Sequence, residues 1–373
     1  MTDPSVNRSR THRARRQTQM PQQHDFTRPN LKGAVNNIDT ETSPRTDYLD
    51  GWRGVSILCV LQGHFIALPI PVDLGRFGVC MFFALSGMLM SNLLFIERQP
   101  LSKFYRRRIS RIVPTFVLFV TTMFTLSGLW NTAFSWNEFI STLLFARTYF
   151  PYPGIWKTEI PIGHIWSLNI EEHSYIFMSF LTLLPFLKRR EGPFLIAGGA
   201  TCIVIGFIYV RLGSSAPFWG PLGTEVAASF LLMSAGYRLV CDRVRQYVPP
   251  WLPVLSLVLA MYLSQGGSWW LQPMASPVLL AFAVNHLPET RPWFKTLLSS
   301  QALRLAGLCS FSIYLWQQPF FSTKAIFPGG PYSALACAVI VSLLSYHLVE
   351  KPSRTWLNRN WKSWLPVQAV QQH

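Results

Sequence analysis

The chain has 373 residues, and only 13% of them are charged, against roughly 25% in an ordinary soluble domain. Half of the residues are hydrophobic, which excludes a disordered chain and argues against a single soluble globule. The formal net charge of +16 invites a nucleic-acid reading, but 13 of the charged residues fall in the first 47 positions, so the distribution has to decide.

Residues 1–47 are polar, rich in Arg and without an apolar h-region, so they read as a disordered basic cytoplasmic tail rather than a signal peptide. Apolar runs then follow at 51–69, 75–96, 112–130, 163–187, 193–210, 222–240, 248–265, 271–287, 303–323 and 331–350. Each approaches the ~20 residues that a spanning helix needs. The seventh and eighth are interrupted by Pro249, Pro250, Pro253, Pro273 and Pro277. The stretch 136–150 has the composition of an interfacial or re-entrant segment in a long external loop. Residues 355–373 form a short polar C-terminal tail. The expected fold is therefore an all-α polytopic membrane protein of about ten transmembrane helices, with residues 48–354 as one domain. The six cysteines form no CxxC pair and five lie in apolar runs, so neither a metal site nor a disulfide framework is expected.

An even number of spans puts both termini on one side, and 28 of the 33 Lys and Arg residues fall on that side. The positive-inside rule then makes both termini cytoplasmic. The same asymmetry accounts for the net charge without nucleic acid, leaving the tail around Arg8–Arg16 to face membrane lipid.

Ionisable residues inside spans are costly and mark sites or pathways. Here they are His64, Glu171, Glu172, His173, Glu225 and His347, with Asp50, Arg53, His164 and Glu350 at span ends. Arg53 and His64 are eleven residues apart, close to three helical turns, so they share one face about 16 Å apart along the axis. A neutral buried imidazole there suits a general base, or else a structural tie to a neighbouring helix. His164, Ser167 and Glu171 share a face of the fourth span, where they would orient a polar substrate or bind two helices together. Arg108 and Arg111 lie one turn apart beside the cytoplasmic face, as a phosphate clamp or as plain positive-inside anchoring. A P-loop, a GxSxG elbow and an HExxH motif are all absent from the sequence.

Six stretches, in order, carry a resemblance: Leu49–Gly54 with Gly63-His64; Gly78-Val79 through Phe82-Phe83 to Ser86-Gly87; Phe104–Ile112 with Pro114; Trp166–Glu172; Ser312–Trp316 with Pro319; and Glu350-Lys351-Pro352. Together they resemble the acyltransferase-3 family of integral membrane O-acyltransferases, from Tyr48 to Arg354. The resemblance implies transfer of an acyl group, most often acetyl, from cytoplasmic acyl-CoA to a hydroxyl of an envelope, exported or signalling saccharide or glycolipid. It extends to the exopolysaccharide and nodulation-factor type of O-acetyltransferase and to a bacterial inner membrane location. Carried over by position, it makes His64 the base with Arg53 as its motif partner, and Glu171 the group that positions His64 or the acceptor. Arg108 and Arg111 would meet the donor phosphates, and Asp50, Ser167, Tyr314 and Glu350 would support them. The resemblance makes acetyl-CoA or another acyl-CoA the expected co-substrate, and it implies no metal.

Two departures stand out. Gln317 occupies a place where many members carry His, and Gln cannot take up a proton at neutral pH. Ser174 replaces an aromatic residue, a change read as packing. With no soluble domain after Pro352, the chain is expected to be the transmembrane-only form. The competing expectation is a transporter or flippase of a lipid-linked saccharide or acyl group, with His and Glu as a proton relay.

Overall fold

A computed structural model describes residues 47–66, 74–129, 134–155, 158–265 and 271–361. The basic tail through residue 46, the end of the first apolar stretch and the C-terminal residues from 362 lie outside the described residues. Among the described residues the chain is helical, with no strand.

The helices are α1 (Asp47–Phe65), α2 (Leu74–Ser91, running on through a π-helical turn Asn92–Ile96), α3 (Leu101–Leu129) and α4 (Trp136–Leu143). Then come α5 (Trp166–Thr182, entered through a 3-10 turn Gly163–Ile165), α6 (Glu191–Leu212), α7 (Thr224–Val240), α8 (Leu252–Gln265) and α9 (Leu271–Asn285). The chain closes with α10 (Pro292–Leu298), α11 (Gln301–Leu308), α12 (Ser310–Thr323), α13 (Gly330–Ser345, with a π-helical turn Tyr346–Glu350) and α14 (Lys351–Asn360).

A helix thus covers each of the ten apolar stretches. Four are long and apolar enough to cross a membrane: Leu74–Ile96, Leu101–Leu129, Glu191–Leu212 and Gly330–Asn360. Two stretches differ in form from the expectation. The run 303–323 is divided between α11 and α12 at Cys309, where ψ is 0°. The break falls where Gly307 docks on α1: a Cβ there would lie 1.9 Å from the Asp50 carbonyl oxygen. The last stretch continues beyond residue 350 as α14, so helix crosses the 354/355 boundary between core and tail. The segment 136–150 contains only the eight-residue α4, which is too short to cross a bilayer.

Helix α1 is the hub, packed on α2, α10, α11 and α12. Its glycines explain how it approaches its neighbours so closely. A Cβ on Gly51 would meet the Leu298 carbonyl oxygen at 1.7 Å, and one on Gly54 that of Leu303 at 2.0 Å. Backbone-to-backbone contact of this kind is how small residues join helices where no hydrophobic gradient exists. Trp52 is fully buried on the same helix and donates from its indole to Met81 O at 3.1 Å, fixing α1 against α2. On the far side, α7 packs on α2, α6 and α9. Its Ser234 donates to Ala84 O at 2.6 Å, and Ser91 of α2 returns a bond to Ala235 O at 2.8 Å.

Candidate active site

The polar residues gathered around α1, α3, α5 and α12 fall into three groups. The first surrounds His64 in the last turn of α1. Its Nδ1 lies 2.6 Å from Gln317 Oε1 on α12. The Gln317 amide nitrogen points the other way, at Tyr314 O and Gln318 Oε1, both at 3.4 Å. Those two acceptors leave Oε1 for His64, and an amide oxygen only accepts. Nδ1 therefore carries the proton, which makes Nε2 the basic nitrogen of the ring. Phe321 stacks on the imidazole at 4.2 Å, and Lys324, lying over Phe321, donates to the His64 carbonyl. One helix and the residue just past its end thus set the ring's position, tautomer and backbone.

The second group is centred on Arg108 of α3. Its Nε donates to Glu172 Oε1 at 2.9 Å and its Nη2 to Glu171 Oε2 at 3.3 Å, while its guanidinium lies over the Tyr175 ring, 3.4 Å from the centroid. Ser86 of α2 donates to Glu171 Oε1 at 2.9 Å. Glu171 is in turn within electrostatic reach of Tyr314. Arg108 is thus held by two carboxylates and an aromatic face, unlike its motif partner one turn on.

The third group lies at the N-terminal end of α1. Arg53 donates to Asp50 at 2.9 Å. It lies within electrostatic reach of Arg111 and Tyr175, and Arg111 in turn within reach of Glu350. Glu350 is buried in the π-helical turn after α13 and accepts from Ser312 at 2.6 Å. Two guanidinium groups, each within reach of a carboxylate, therefore influence each other's charge at this end of the helix. Arg53 and His64 sit at opposite ends of α1, about 16 Å apart along its axis, so Arg53 acts at a distance from the imidazole.

Ser167 and Tyr314 join α5 to α12. Their hydroxyls lie 2.6 Å apart, and both also reach the His164 carbonyl, Tyr314 at 2.7 Å and Ser167 at 3.3 Å. The face formed by His164, Ser167 and Glu171 is therefore turned towards Tyr314. Ser174 is buried on α5, as a packing residue would be. Gln317 entered the sequence reading only as a departure, and Ser86 only as part of a motif. Phe321, Lys324 and Tyr175 carry no signal in the sequence, because contacts between helices far apart in the chain leave no local periodicity.

Among the described residues no cluster of His, Cys, Asp or Glu is arranged to hold a metal ion.

An acyltransferase domain family matches residues 46–347. A Staphylococcus aureus protein named "Putative O-acetyltransferase" is 25% identical, over 84% of this chain and 58% of that protein. The peptidoglycan O-acetyltransferase OatA of Listeria monocytogenes is 24% identical, over 86% of this chain and 60% of its own length. The chain thus spans a little over half the length of these relatives. No solved structure matches it.

Proposed function

Because the chain belongs to the acyltransferase domain family, we propose that it is a membrane O-acyltransferase that moves an acyl group, acetyl first among them, from cytoplasmic acyl-CoA to a saccharide hydroxyl. The observation that carries this reading is the His64–Gln317 bond, which orients the imidazole so that Nε2 can act as base inside a helical bundle. A saccharide acceptor accords with the Listeria relative, whose name specifies peptidoglycan. We further propose ten crossings with both termini in the cytoplasm of a bacterial inner membrane, on the Lys and Arg asymmetry of the sequence.

His64 Nε2 accepts the proton of the acceptor hydroxyl as its oxygen attacks the thioester carbon. When the C–S bond breaks, the same nitrogen returns the proton to the departing sulfur. Gln317 holds the required tautomer throughout. Arg111, with Arg53 beside it, meets the donor phosphates at the cytoplasmic end, about 16 Å from the base along α1. That distance suits a donor whose anionic end and reactive thioester are far apart. Arg108 fits a phosphate less well than Arg111, because it already holds two carboxylates. It contributes by orienting Glu171 beside Tyr314, where Glu171 can bind acceptor hydroxyls.

Inside-out membrane vesicles containing the full chain, given acetyl-labelled acetyl-CoA and disaccharide-peptide fragments of peptidoglycan, test the reading. The expected result is label in an alkali-labile ester, formed by the wild type and absent with His64→Ala. Label that crosses the membrane without entering an ester would contradict it and favour transport.

A further inference from the structure

His164 stands just before α5, 3% exposed, and neither of its ring nitrogens has a hydrogen-bond partner among the described residues. Its ring is wedged between Phe119, at 5.5 Å and 84°, and Tyr314, at 5.1 Å and 62°. Its backbone is firmly placed, since its carbonyl accepts from Tyr314 at 2.7 Å. The imidazole lies within electrostatic reach of His64. Buried polar atoms are nearly always paired, and leaving two orphaned on one side chain is costly. A fixed, buried imidazole with neither nitrogen paired among the described residues, within electrostatic reach of the base, is therefore a place where a ligand's polar atom belongs.

We propose that His164 donates a hydrogen bond to the carbonyl oxygen of the acyl thioester as negative charge builds on it. The inference rests on the acyl-transfer reading above. Two imidazoles within electrostatic reach of each other cannot readily both hold a charge, and His64 takes the proton during attack. His164 stays neutral and keeps one N–H, a donor whose value is greatest in a site walled by Phe119 and Tyr314. The hydroxyl oxygen bonds to the thioester carbon, and the carbonyl electron pair moves onto the oxygen that His164 faces. The pair then returns as the C–S bond breaks and the sulfur takes the proton from His64.

A packing role makes the opposite prediction, and His164→Phe separates the two. Phenylalanine keeps a ring against Phe119 and Tyr314 and removes two unsatisfied nitrogens. The purified full chain in proteoliposomes is assayed with acetyl-CoA and disaccharide-peptide fragments of peptidoglycan, following thiol release and thermal unfolding. We expect His164→Phe to unfold no earlier than the wild type, yet to lose about 10²–10³-fold in kcat, the usual cost of one oxyanion donor. KM for acetyl-CoA should stay within about threefold, because the interaction forms only in the transition state. Wild-type kcat in a folded His164→Phe protein would overturn the proposal. If that variant does not fold, His164→Gln and His164→Met, close in size, decide. Gln retains an N–H and must exceed Met by about tenfold or more in kcat, and equal rates would overturn the proposal. Failure of the underlying reading looks different, because the wild type itself would then release no thiol, and both would fall together.

Discussion

Gln317 lies 253 positions from His64, yet it decides which imidazole nitrogen is basic. The Arg53 and His64 spacing could be read from the sequence because helical periodicity is local. The Gln317 contact could not, because nothing local reports which helices become neighbours. Replacing His64 by Ala should lower transfer about 10²–10⁴-fold, the range for a general base, with membrane insertion intact on fractionation and unfolding assays. Gln317→Leu removes the acceptor that fixes the tautomer. It should cut kcat roughly tenfold or more with KM for acetyl-CoA near the wild-type value, in steady-state kinetics. The two arginines of the α3 motif should separate in kind. Arg108→Ala strands Glu171 and Glu172, both largely buried, and should cost about 3–5 kcal/mol in thermal unfolding, the usual loss when one partner of a buried ion pair is removed. Arg111→Ala leaves Glu350 its hydrogen bond from Ser312 and should instead raise KM for acetyl-CoA.

At the scale of elements, hydropathy located a helix on every apolar stretch, because burial in helices and burial in lipid demand the same composition. It did not locate the break between α11 and α12 or the π-helical turn before α14. Both depend on tertiary contact: Gly307 is seated on the Asp50 carbonyl, and Glu350 is turned inwards to Ser312. The glycines of α1 invite a direct check. Gly54→Val places side-chain atoms where the Leu303 carbonyl already sits, 2.0 Å from the ideal Cβ position. It should destabilise the protein by about 1–3 kcal/mol or more, seen as earlier unfolding, and should reduce activity by displacing α1 and with it His64. An unfolding temperature equal to the wild type's would show that α1 and α11 can separate at no cost.

For the whole molecule, the expectation of one helical domain rests on the apolar runs and that of its family on six ordered stretches, each of which supplies residues to the three polar groups described here. Their tertiary arrangement joins the first and last thirds of the chain: α1 and α12 hold the base, α3 and α5 hold the carboxylates, and Arg111 with Glu350 closes the end near Arg53. The proposed orientation in the membrane rests on the asymmetry of Lys and Arg. Tags placed at each terminus should therefore be cleaved by protease added to inside-out vesicles and protected in right-side-out ones.

The claim on which the account depends is that His64 drives a balanced acyl transfer rather than passage of a solute. The most direct measurement is the stoichiometry of thiol released to ester formed by the purified full chain in proteoliposomes, with acetyl-CoA as donor and disaccharide-peptide fragments of peptidoglycan as acceptor. The account predicts one thiol for each ester with the wild type, and neither product above background with His64→Ala. Ester formation that persists in His64→Ala, or wild-type uptake of label with no thiol released, would contradict it.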